Sequence, residues 1–597
     1  TMIKKRSEQE KQYTWATEDL YADDAAWEEA IKDAEKLPKQ YEAYRGKLGE
    51  SAQTLLSYYH FLEESSKVIE RLASYAFRKS DEDMKVSSYQ IMAGRVMNLF
   101  VSLNSASSFQ DPELIAIPEE KLQQFYNESE ELRLYELDIT RIRRKKEHIL
   151  SEKEEKLLAM AGEITQAPND ICEIFNNADL TFPSIKNSEG EEVAVTHGTY
   201  ISHVESKDRR VRKDAFDSLY SVYYQFRNTS AAILDSQIRQ LLFRTKARNY
   251  ETTLHAALAR TEVPVEVYSN LIQTVHENME YMHRYVRLRK KVLGYEELHM
   301  YDLYTPIVEK ADVKIPFEKA KQEVYDALEV LGEEYRAILK QGFENRWIDV
   351  YENEGKRSGA YSAGTRVHPY VLLNYTENLD SEFTLAHEMG HALHSYLSNK
   401  NQPVIYADYK IFVAEVASTC NEALLMRYLL AKTEDKKEKA YLINHFLDGF
   451  KGTLYRQTMF AEFEQKINQM VAGGEKLTAE RLNAIYHDLN VEYYGKDIVV
   501  DDYIDVEWAR IPHFYMNFYV YQYATGYSAA IALSNKILKE GESAVKDYLN
   551  FLSSGCSDDP VSLLKKAGVD MSTAQPIKEA LEVFGSLLDE LEKLLEE

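Results

Sequence analysis

The chain has 597 residues, long enough for several hydrophobic cores, and 44% of them are hydrophobic. Its 98 acidic and 72 basic residues give a net charge of −26, which disfavours binding to a nucleic-acid backbone or to an anionic membrane. The sequence has no run of about 18 apolar residues, the length that would predict a membrane span. Its first residues lack the apolar region of a signal peptide. Three scattered cysteines, Cys172, Cys420 and Cys556, suit a reducing compartment and predict buried thiols. We therefore expect a cytoplasmic protein, a monomer or weak homo-oligomer, with no nucleic-acid or membrane partner.

The predicted elements are mostly helical, because glycine (23) and proline (13) are scarce for this length. Amphipathic periodicity predicts helices at residues 26–48, 52–77, 87–109, 208–293 and 317–344. A period of two predicts a β-hairpin within 181–196 and a second strand region at 361–375. We expect an N-terminal helical region at 1–200 that ends in the hairpin, and a second region at 201–597.

The most informative motif is His387-Glu388-Met389-Gly390-His391, in a proline-free stretch that reads as one helix. Histidines at i and i+4 lie one turn apart on one helix face, so both imidazoles can reach one metal ion. Glu388 points about 100° round the helix and can contact a water on the metal. The alternative is a helix face that carries two histidines by chance. Buried histidines and glutamates need partners, however, and one metal ion satisfies all three.

A third ligand is expected downstream, because catalytic zinc usually has three protein ligands and one open position. Residues 409–430 predict a second helix on which Glu415, Ser418, Thr419 and Glu422 share one stripe. Glu415 lies 24 residues beyond His391, which leaves room for a loop and a return antiparallel helix. Glu422 could accept from the free ring N–H of a zinc-bound histidine. For Glu422, an ordinary ion pair stays open as the alternative.

With these two motifs, the sequence resembles the M3 zinc metallopeptidases, in particular the oligoendopeptidase F branch. The resemblance extends over nearly the whole chain, and its strongest motifs are residues 359–362, 368–375, 387–394, 412–422, 512–515 and 519–526. It implies a mainly α, multi-helical zincin-type fold with small β elements and two halves that enclose a deep substrate channel. It also implies one zinc ion per chain, held by His387, His391 and Glu415, with Glu388 as the catalytic base.

The resemblance further implies that the strand region at 361–375 supplies an edge strand that binds the substrate backbone. The expected substrate-binding residues are Gly359, Ala360, Tyr361, His368, Tyr370, Tyr519 and Tyr527. His513 and a tyrosine, Tyr521 or Tyr523, would assist the transition state. The thimet-type branch has a glycine-rich loop after this histidine, whereas here no glycine occurs before Gly526, so the tyrosines do not align uniquely. His394, at i+3 from His391, is expected either to support a metal ligand or to pack in the core. The remaining histidines have no companion at ligand spacing and are expected to have no role in the metal site.

We therefore expect a zinc endopeptidase that hydrolyses internal bonds of short, unfolded oligopeptides. Two alternatives stay open at this point. One is an all-helical zinc carboxypeptidase, which also carries His-Glu-x-x-His and a later glutamate. The other is an inactive helical binding protein that keeps the motif as structure, although a structural zinc site would not need an unligated Glu388.

Overall fold

The computed structural model describes residues 2–310 and 313–597, and most of them are helical, which confirms the mainly α fold class. The first α-helices are α1 Asp24–Ala34, α2 Leu37–Glu42, α3 Ala52–Glu82, α4 Ser87–Ala106, α5 Gln110–Ala116, α6 Glu119–Glu128, α7 Glu136–Arg143, α8 Glu152–Thr165, α9 Ala167–Ile174, α10 His197–Val204, α11 Arg209–Gln225, α12 Arg227–Ala247, α13 Thr253–Ala259, α14 Val265–Glu277 and α15 Met279–Leu293. The later ones are α16 Phe317–Ala327, α17 Gly332–Glu344, α18 Leu379–Asn401, α19 Val404–Ala407, α20 Val416–Lys432, α21 Lys436–Gly449, α22 Arg456–Ala472, α23 Ala479–Tyr494, α24 Tyr521–Glu540, α25 Glu542–Leu552, α26 Pro560–Lys566 and α27 Gln575–Glu596.

Short elements connect these helices. The strands are β1 Ile185–Lys186, β2 Glu192–Val193, β3 Ile348–Asp349, β4 Tyr361–Ala363 and β5 Tyr370–Leu372. Short 3-10 helices occur at Arg6–Glu8, Lys11–Tyr13, Thr17–Asp19, Glu131–Tyr135, Arg144–His148, Met300–Asp302, Leu328–Leu331, Ile411–Val413, Asp502–Arg510 and Pro512–Tyr515. Two π-helical segments occur at Phe175–Asp179 and Phe450–Tyr455.

The chain forms two compact units, each assembled from separate segments. The first contains Thr1–Glu147, Val313–Tyr428 and Leu533–Val569, and the second contains His148–Asp312, Leu429–Ala532 and Asp570–Glu597. The expected boundary at residue 200 and the expected channel stay predictions. Among residues 2–310 and 313–597, no helix is both long enough and apolar enough to cross a bilayer.

In the first unit, an aromatic and aliphatic core lies beneath α1 to α7 and extends to Tyr370 and Leu372 of β5. The indole of Trp15 donates to the carbonyl of Val371 at 2.9 Å, which ties the N-terminal segment to the sheet. The strand order is β3-β5-β4, with β5 parallel to β3 and antiparallel to β4. The predicted strand region is therefore two strands, and its 370–372 part is the centre of the sheet instead of an edge.

Several predicted helices are divided. The predicted helix 26–48 is broken before α2, because Pro38 occupies the first turn of α2 and has no N–H to continue the hydrogen-bond ladder. The predicted helix 317–344 is likewise divided, into α16 and α17, whereas the helices predicted over 208–293 are α11 to α15. The β-hairpin is confirmed, with Ile185 paired with Val193, although its strands are only two residues long.

Candidate metal centre

Helix α18 carries the motif and is stabilised at its N-terminus by local interactions. The side chain of Asn378 caps the helix by accepting from the N–H of Ser381, and Asp380 and Glu382 lie in the first turn, where negative charge is favourable. Most of the helix is buried, so only specific polar residues face the site. His387 and His391 are partly exposed on one face, with their ring centroids 4.9 Å apart.

Glu415 lies outside the helix in which we predicted it. Helix α20 begins at Val416, and the carbonyl of Glu415 accepts from the N–H of Thr419 in the first turn. The hydroxyl of Ser418 donates to both the carbonyl and the Oε2 atom of Glu415, each at 2.9 Å. These bonds cap the N-terminal end of α20 and hold the carboxylate of Glu415 in place. This role of Ser418 could not be predicted, because its position on the predicted stripe does not reveal the contact.

The ligand atoms of His387, His391 and Glu415 fit a tetrahedral zinc ion. The Nε2 atom of each histidine lies 3.3 Å from Oε2 of Glu415, and all three ligand atoms lie within 4.8 Å of one another. Ligand atoms about 2.0–2.1 Å from a tetrahedral zinc are about 3.3 Å apart. A charged hydrogen bond would instead be about 2.7–2.9 Å long. Two imidazoles and one carboxylate are also the ligand types of catalytic zinc sites.

The charges around the histidines favour a cation at this position. Burial alone would lower the pKa of His387, but Glu415 and Glu422 raise it to about 10. Burial would likewise raise the pKa of Glu415, yet the two histidines hold it well below its usual range. The Nδ1 atom of His387 lies 3.4 Å from Oε1 of Glu422. A bound metal would take the place of the shared protons, because ligating histidines must be neutral.

Glu388 is buried beside these residues and is poorly solvated. Its Oε2 atom is buried and has no hydrogen-bond partner among the described residues, 2–310 and 313–597. Burial raises the pKa of this carboxyl, while the two neighbouring histidines lower it. An unpaired buried carboxylate oxygen is costly unless a ligand or water completes it. Glu388 can therefore accept a hydrogen bond from a water held at the metal centre.

Asn421 connects α20 to both α18 and α17. The side-chain amide of Asn421 donates to the carbonyl of Ala386 at 3.0 Å, and the hydroxyl of Tyr335 donates to Asn421 at 3.1 Å.

His394 is buried and stacks on Tyr409, with ring centroids 3.7 Å apart. Burial, with a smaller effect of His391, lowers the pKa of His394 to about 3. His394 is thus a neutral ring that packs under the site.

The expected substrate-binding residues of the first unit fall into two groups. Gly359, Ala360 and Tyr361 lie at or just before β4, and Gly359 has φ +81°, which requires glycine. Tyr370 is fully buried in β5 and donates to the carbonyl of Ala16, while buried His368 bonds to Asp19 at 2.9 Å. Tyr370 and His368 thus each form one hydrogen bond to the N-terminal segment. The substrate role of all five residues stays a prediction.

The predicted transition-state residues lie in the second unit. His513, Tyr519 and Tyr523 are partly exposed and form one aromatic cluster with ring centroids 5.2–6.3 Å apart. Tyr521 and Tyr527 are buried instead: the Tyr521 ring lies 5.1 Å from that of Tyr268, and the Tyr527 ring lies 5.1 Å from that of Phe450.

The tyrosine-rich sequence after His513 predicts a helix that begins at once, but a non-helical segment separates His513 from α24. Asn517 and Phe518 adopt left-handed angles, with φ +48° and +59°, and α24 begins only at Tyr521. The spacing of Tyr519, Tyr523 and Tyr527 in the sequence predicts that they share one face of a helix. Tyr519 precedes α24, so this prediction is wrong.

Sequence spacing also missed two clusters around other histidines. In the second unit, Nε2 of His276 lies 2.8 Å from Glu462 and Nδ1 lies 2.9 Å from Glu492, while Nδ1 of His487 lies 2.7 Å from Asp505. These distances are those of charged hydrogen bonds and are shorter than the ligand spacing of tetrahedral zinc. Glu462 in particular raises the pKa of His276 despite its burial. The arrangements fit ion pairs better than metal sites.

Comparison with known proteins gives the family. Residues 202–583 match the model of peptidase family M3, and residues 113–182 match the model of oligopeptidase F. Oligopeptidase PepF of Bacillus subtilis is 48% identical over 594 residues, which cover 99% of this chain and 88% of that protein. An oligoendopeptidase F homolog of Lactococcus lactis is 43% identical over 597 residues, 100% of this chain and 99% of the other.

A solved structure agrees with these matches. The crystal structure of oligoendopeptidase-F from Enterococcus faecium superposes with a TM-score of 0.74 at 40% identity, over 96% of this chain and 99% of that chain. Family, relatives and fold thus point to the same class of peptidase as the arrangement of His387, His391 and Glu415. The chain belongs to peptidase family M3 and to its oligoendopeptidase F branch.

Proposed function

We propose that this chain is a zinc-dependent endopeptidase that cleaves internal bonds of short, unfolded oligopeptides and holds one zinc ion. The observation that carries the proposal is the 3.3 Å spacing between each histidine Nε2 and Glu415 Oε2. Membership of a peptidase family supports peptide hydrolysis, and the oligopeptidase names of the relatives support short substrates. The free thiols of Cys172, Cys420 and Cys556 suit the reducing cytoplasm.

The proposed chemistry relies on His387, His391, Glu415 and Glu388. Zinc in this site would polarise the scissile carbonyl and lower the pKa of a water molecule to about 7. Glu388 would accept the proton of the attacking water and then deliver it to the leaving nitrogen. Its buried, unpaired Oε2 supports this role. Glu422, 3.4 Å from Nδ1 of His387, would orient the ring so that Nε2 faces the metal.

We further propose that β4 binds the peptide backbone. This strand pairs with β5 along one edge, and among the described residues (2–310 and 313–597) no strand pairs with its other edge. An extended peptide could add there through main-chain hydrogen bonds, which would explain acceptance of many sequences. Gly359, Ala360 and Tyr361 would then contact the substrate.

His513, Tyr519 and Tyr523 are proposed to donate to the substrate as negative charge develops on its carbonyl oxygen. Burial lowers the pKa of His513, so the ring is neutral near pH 7 and carries one N–H donor. The partial exposure of the three rings supports this assignment over one to the buried Tyr521 or Tyr527.

The test uses a fluorogenic peptide with both termini blocked. Removing the metal with a chelator should abolish cleavage and added zinc should restore it, whereas Glu388→Gln should bind one zinc and lose about 10²–10⁴-fold in kcat. Glu50→Gln, at an exposed residue, is the matched control and should cleave like the wild type. Normal turnover by Glu388→Gln would remove this residue as the base. Failure to cleave internally, with release of C-terminal residues from unblocked peptides, would establish a carboxypeptidase instead.

A further inference from the structure

A pocket of about 470 Å³ borders β4 in the first unit. It is lined by Phe77, Arg78, Ser80 and Asp81 of α3, by Arg357, and by the residues of β4. The α3 residues precede β4 by about 280 positions in the chain, so no sequence pattern groups them with this strand. The pocket therefore combines the edge of the sheet with charged side chains from another part of the fold.

The charges in this pocket are unbalanced. Nη2 of Arg78 lies 3.8 Å from Asp81 and Nη1 of Arg357 lies 3.7 Å from Asp81, both longer than a charged hydrogen bond of about 2.7–2.9 Å. One oxygen of Asp81 already accepts from the hydroxyl of Tyr361. Two guanidinium groups thus share a single carboxylate, which leaves one net positive charge and several N–H donors for a ligand.

The two arginines differ in how firmly they are held. The side chain of Arg78 is only 11% exposed, and its guanidinium lies over the rings of Trp15 and Tyr361, 5.9 and 5.1 Å from their centroids. Its Nε atom is buried without a hydrogen-bond partner among residues 2–310 and 313–597. Arg357 is 58% exposed and can move toward a ligand. A fixed donor whose hydrogen bonding is incomplete, next to an adaptable one, is suited to binding an anion.

The pocket is connected to the metal centre through β4. Gly364 follows β4 and packs so closely on α18 that an added Cβ would lie 2.8 Å from the Cβ of Ser395. Asn399 of the same helix donates to the carbonyl of Gly364 at 3.0 Å. Ser395 lies one helical turn beyond His391. A peptide added to the edge of β4 would therefore pass both the motif helix and the pocket.

We propose that Arg78 and Arg357 bind a carboxylate of the peptide that extends along β4, an inference that rests on the proposed peptidase function. The planar guanidinium fork matches a carboxylate in geometry and charge. This carboxylate is either the C-terminus of a short peptide or an Asp or Glu side chain at a fixed distance from the cleaved bond. In both cases the pocket selects substrates by charge, in addition to the main-chain binding that accepts any sequence.

The experiment compares three kinds of peptide that share one neutral core sequence. The first has a free C-terminus, the second has an amidated C-terminus, and the third is a series of amidated peptides with one Glu at each position in turn. We expect the wild type to prefer a carboxylate-bearing peptide by about tenfold in kcat/KM, as one charge-assisted contact would give. In Arg357→Gln the ratio between acidic and neutral peptides should fall toward one. Arg45→Gln changes the charge equally at an exposed residue that pairs with Glu42, and should keep the wild-type ratio.

The outcomes separate the possible sources of the carboxylate. A preference abolished by amidation identifies the C-terminus, and a preference restored by Glu at one position identifies a side chain. Equal kcat/KM for all peptides in the wild type, or an unchanged ratio in Arg357→Gln, would overturn the proposal. If no peptide were cleaved, the peptidase function would fail. Calorimetric titration of the same peptides into the protein would then test the pocket separately, by the ratio of the Kd values for acidic and neutral peptides.

Discussion

Gly390 of α18 packs directly against Ser418 of α20. A Cβ added to Gly390 would lie 2.7 Å from the Cα of Ser418 and 2.7 Å from the carbonyl oxygen of Ala417. Real side chains essentially never approach backbone atoms so closely, and both neighbours belong to the turn that holds Glu415. The absence of a side chain at the fourth position of the motif therefore sets the distance between the two histidines and Glu415, the proposed metal ligands.

We accordingly predict that Gly390→Ala weakens zinc binding. The methyl group would push the 415–418 turn away from α18, which separates the three ligands. We expect a zinc Kd raised about 10–100-fold, as for other losses of support around a metal site, and a free energy of unfolding lowered by about 1–3 kcal/mol. Competition with a chromophoric chelator measures the first quantity and urea unfolding measures the second.

The matched control is Gly94→Ala in α4. No atom lies within 4 Å of a Cβ added at Gly94, so this variant should bind zinc normally and gain about 0.4–1 kcal/mol of stability. If both alanine variants bound zinc with wild-type affinity, the packing of Gly390 on Ser418 would not control the metal centre.

A second prediction separates the roles of Glu415 and Glu422. Glu415→Ala removes a proposed metal ligand and should abolish stoichiometric zinc binding. Glu422→Ala should raise the zinc Kd only about 10–100-fold, because it removes a partner of the His387 ring. Metal analysis after dialysis against a zinc buffer distinguishes the two variants. A larger loss for Glu422→Ala would exchange the two roles.

The third prediction concerns the aromatic cluster of the second unit. His513→Ala should keep the zinc content and lower kcat by about 10²–10³-fold with little change in KM, if its N–H donates only to developing charge. Tyr519→Phe and Tyr523→Phe should lower kcat as well, because both rings border His513. Tyr521→Phe is the control, since this residue is buried against Tyr268. A raised KM with unchanged kcat in His513→Ala would indicate binding of the ground-state peptide instead.

The local part of the site could be predicted from sequence. The spacing of His387 and His391, with helix-favouring flanks on both sides, predicts one helix because the responsible interactions lie within a few residues. The position of Glu415 could be predicted only in part. Whether it begins α20 or lies within it depends on the hydroxyl of Ser418, which bonds to the carbonyl of Glu415.

Contacts between distant segments could not be predicted. The pairing of His276 with Glu462 joins residues 186 positions apart, and Asp81 meets Tyr361 across 280 positions. No periodicity connects such residues, since their contacts depend on how whole helices pack. The position of β5 at the centre of its sheet likewise depends on β3, a strand of two residues that gives almost no sequence signal.

The fourth prediction concerns the dependence of stability on pH. Glu464 is buried in α22, its Oε2 accepts from the N–H of Phe518 at 2.8 Å, and its Oε1 has no hydrogen-bond partner among the described residues, 2–310 and 313–597. Burial raises the pKa of this carboxyl to about 8, and the bond from Phe518 opposes the shift. A folded-state pKa above the unfolded value means that the folded protein holds the proton more tightly. The stabilisation is then complete below about pH 4.5 and is lost as the pH rises through about 8.

We expect Glu464→Gln to remove this dependence, because an amide keeps the acceptor for Phe518 and does not ionise. Unfolding by urea at intervals from pH 5 to 9 should show the wild type losing stability relative to the variant, by up to about 5 kcal/mol at the alkaline end. The difference between the two curves cancels every other titrating group. Glu434→Gln, at a carboxylate of a surface loop, should follow the wild-type curve. Parallel curves for the wild type and Glu464→Gln would show that Glu464 is ionised in the folded protein throughout this range. The left-handed turn at Asn517 and Phe518 would then be held by a charged carboxylate, and Glu464→Gln should weaken that turn at every pH.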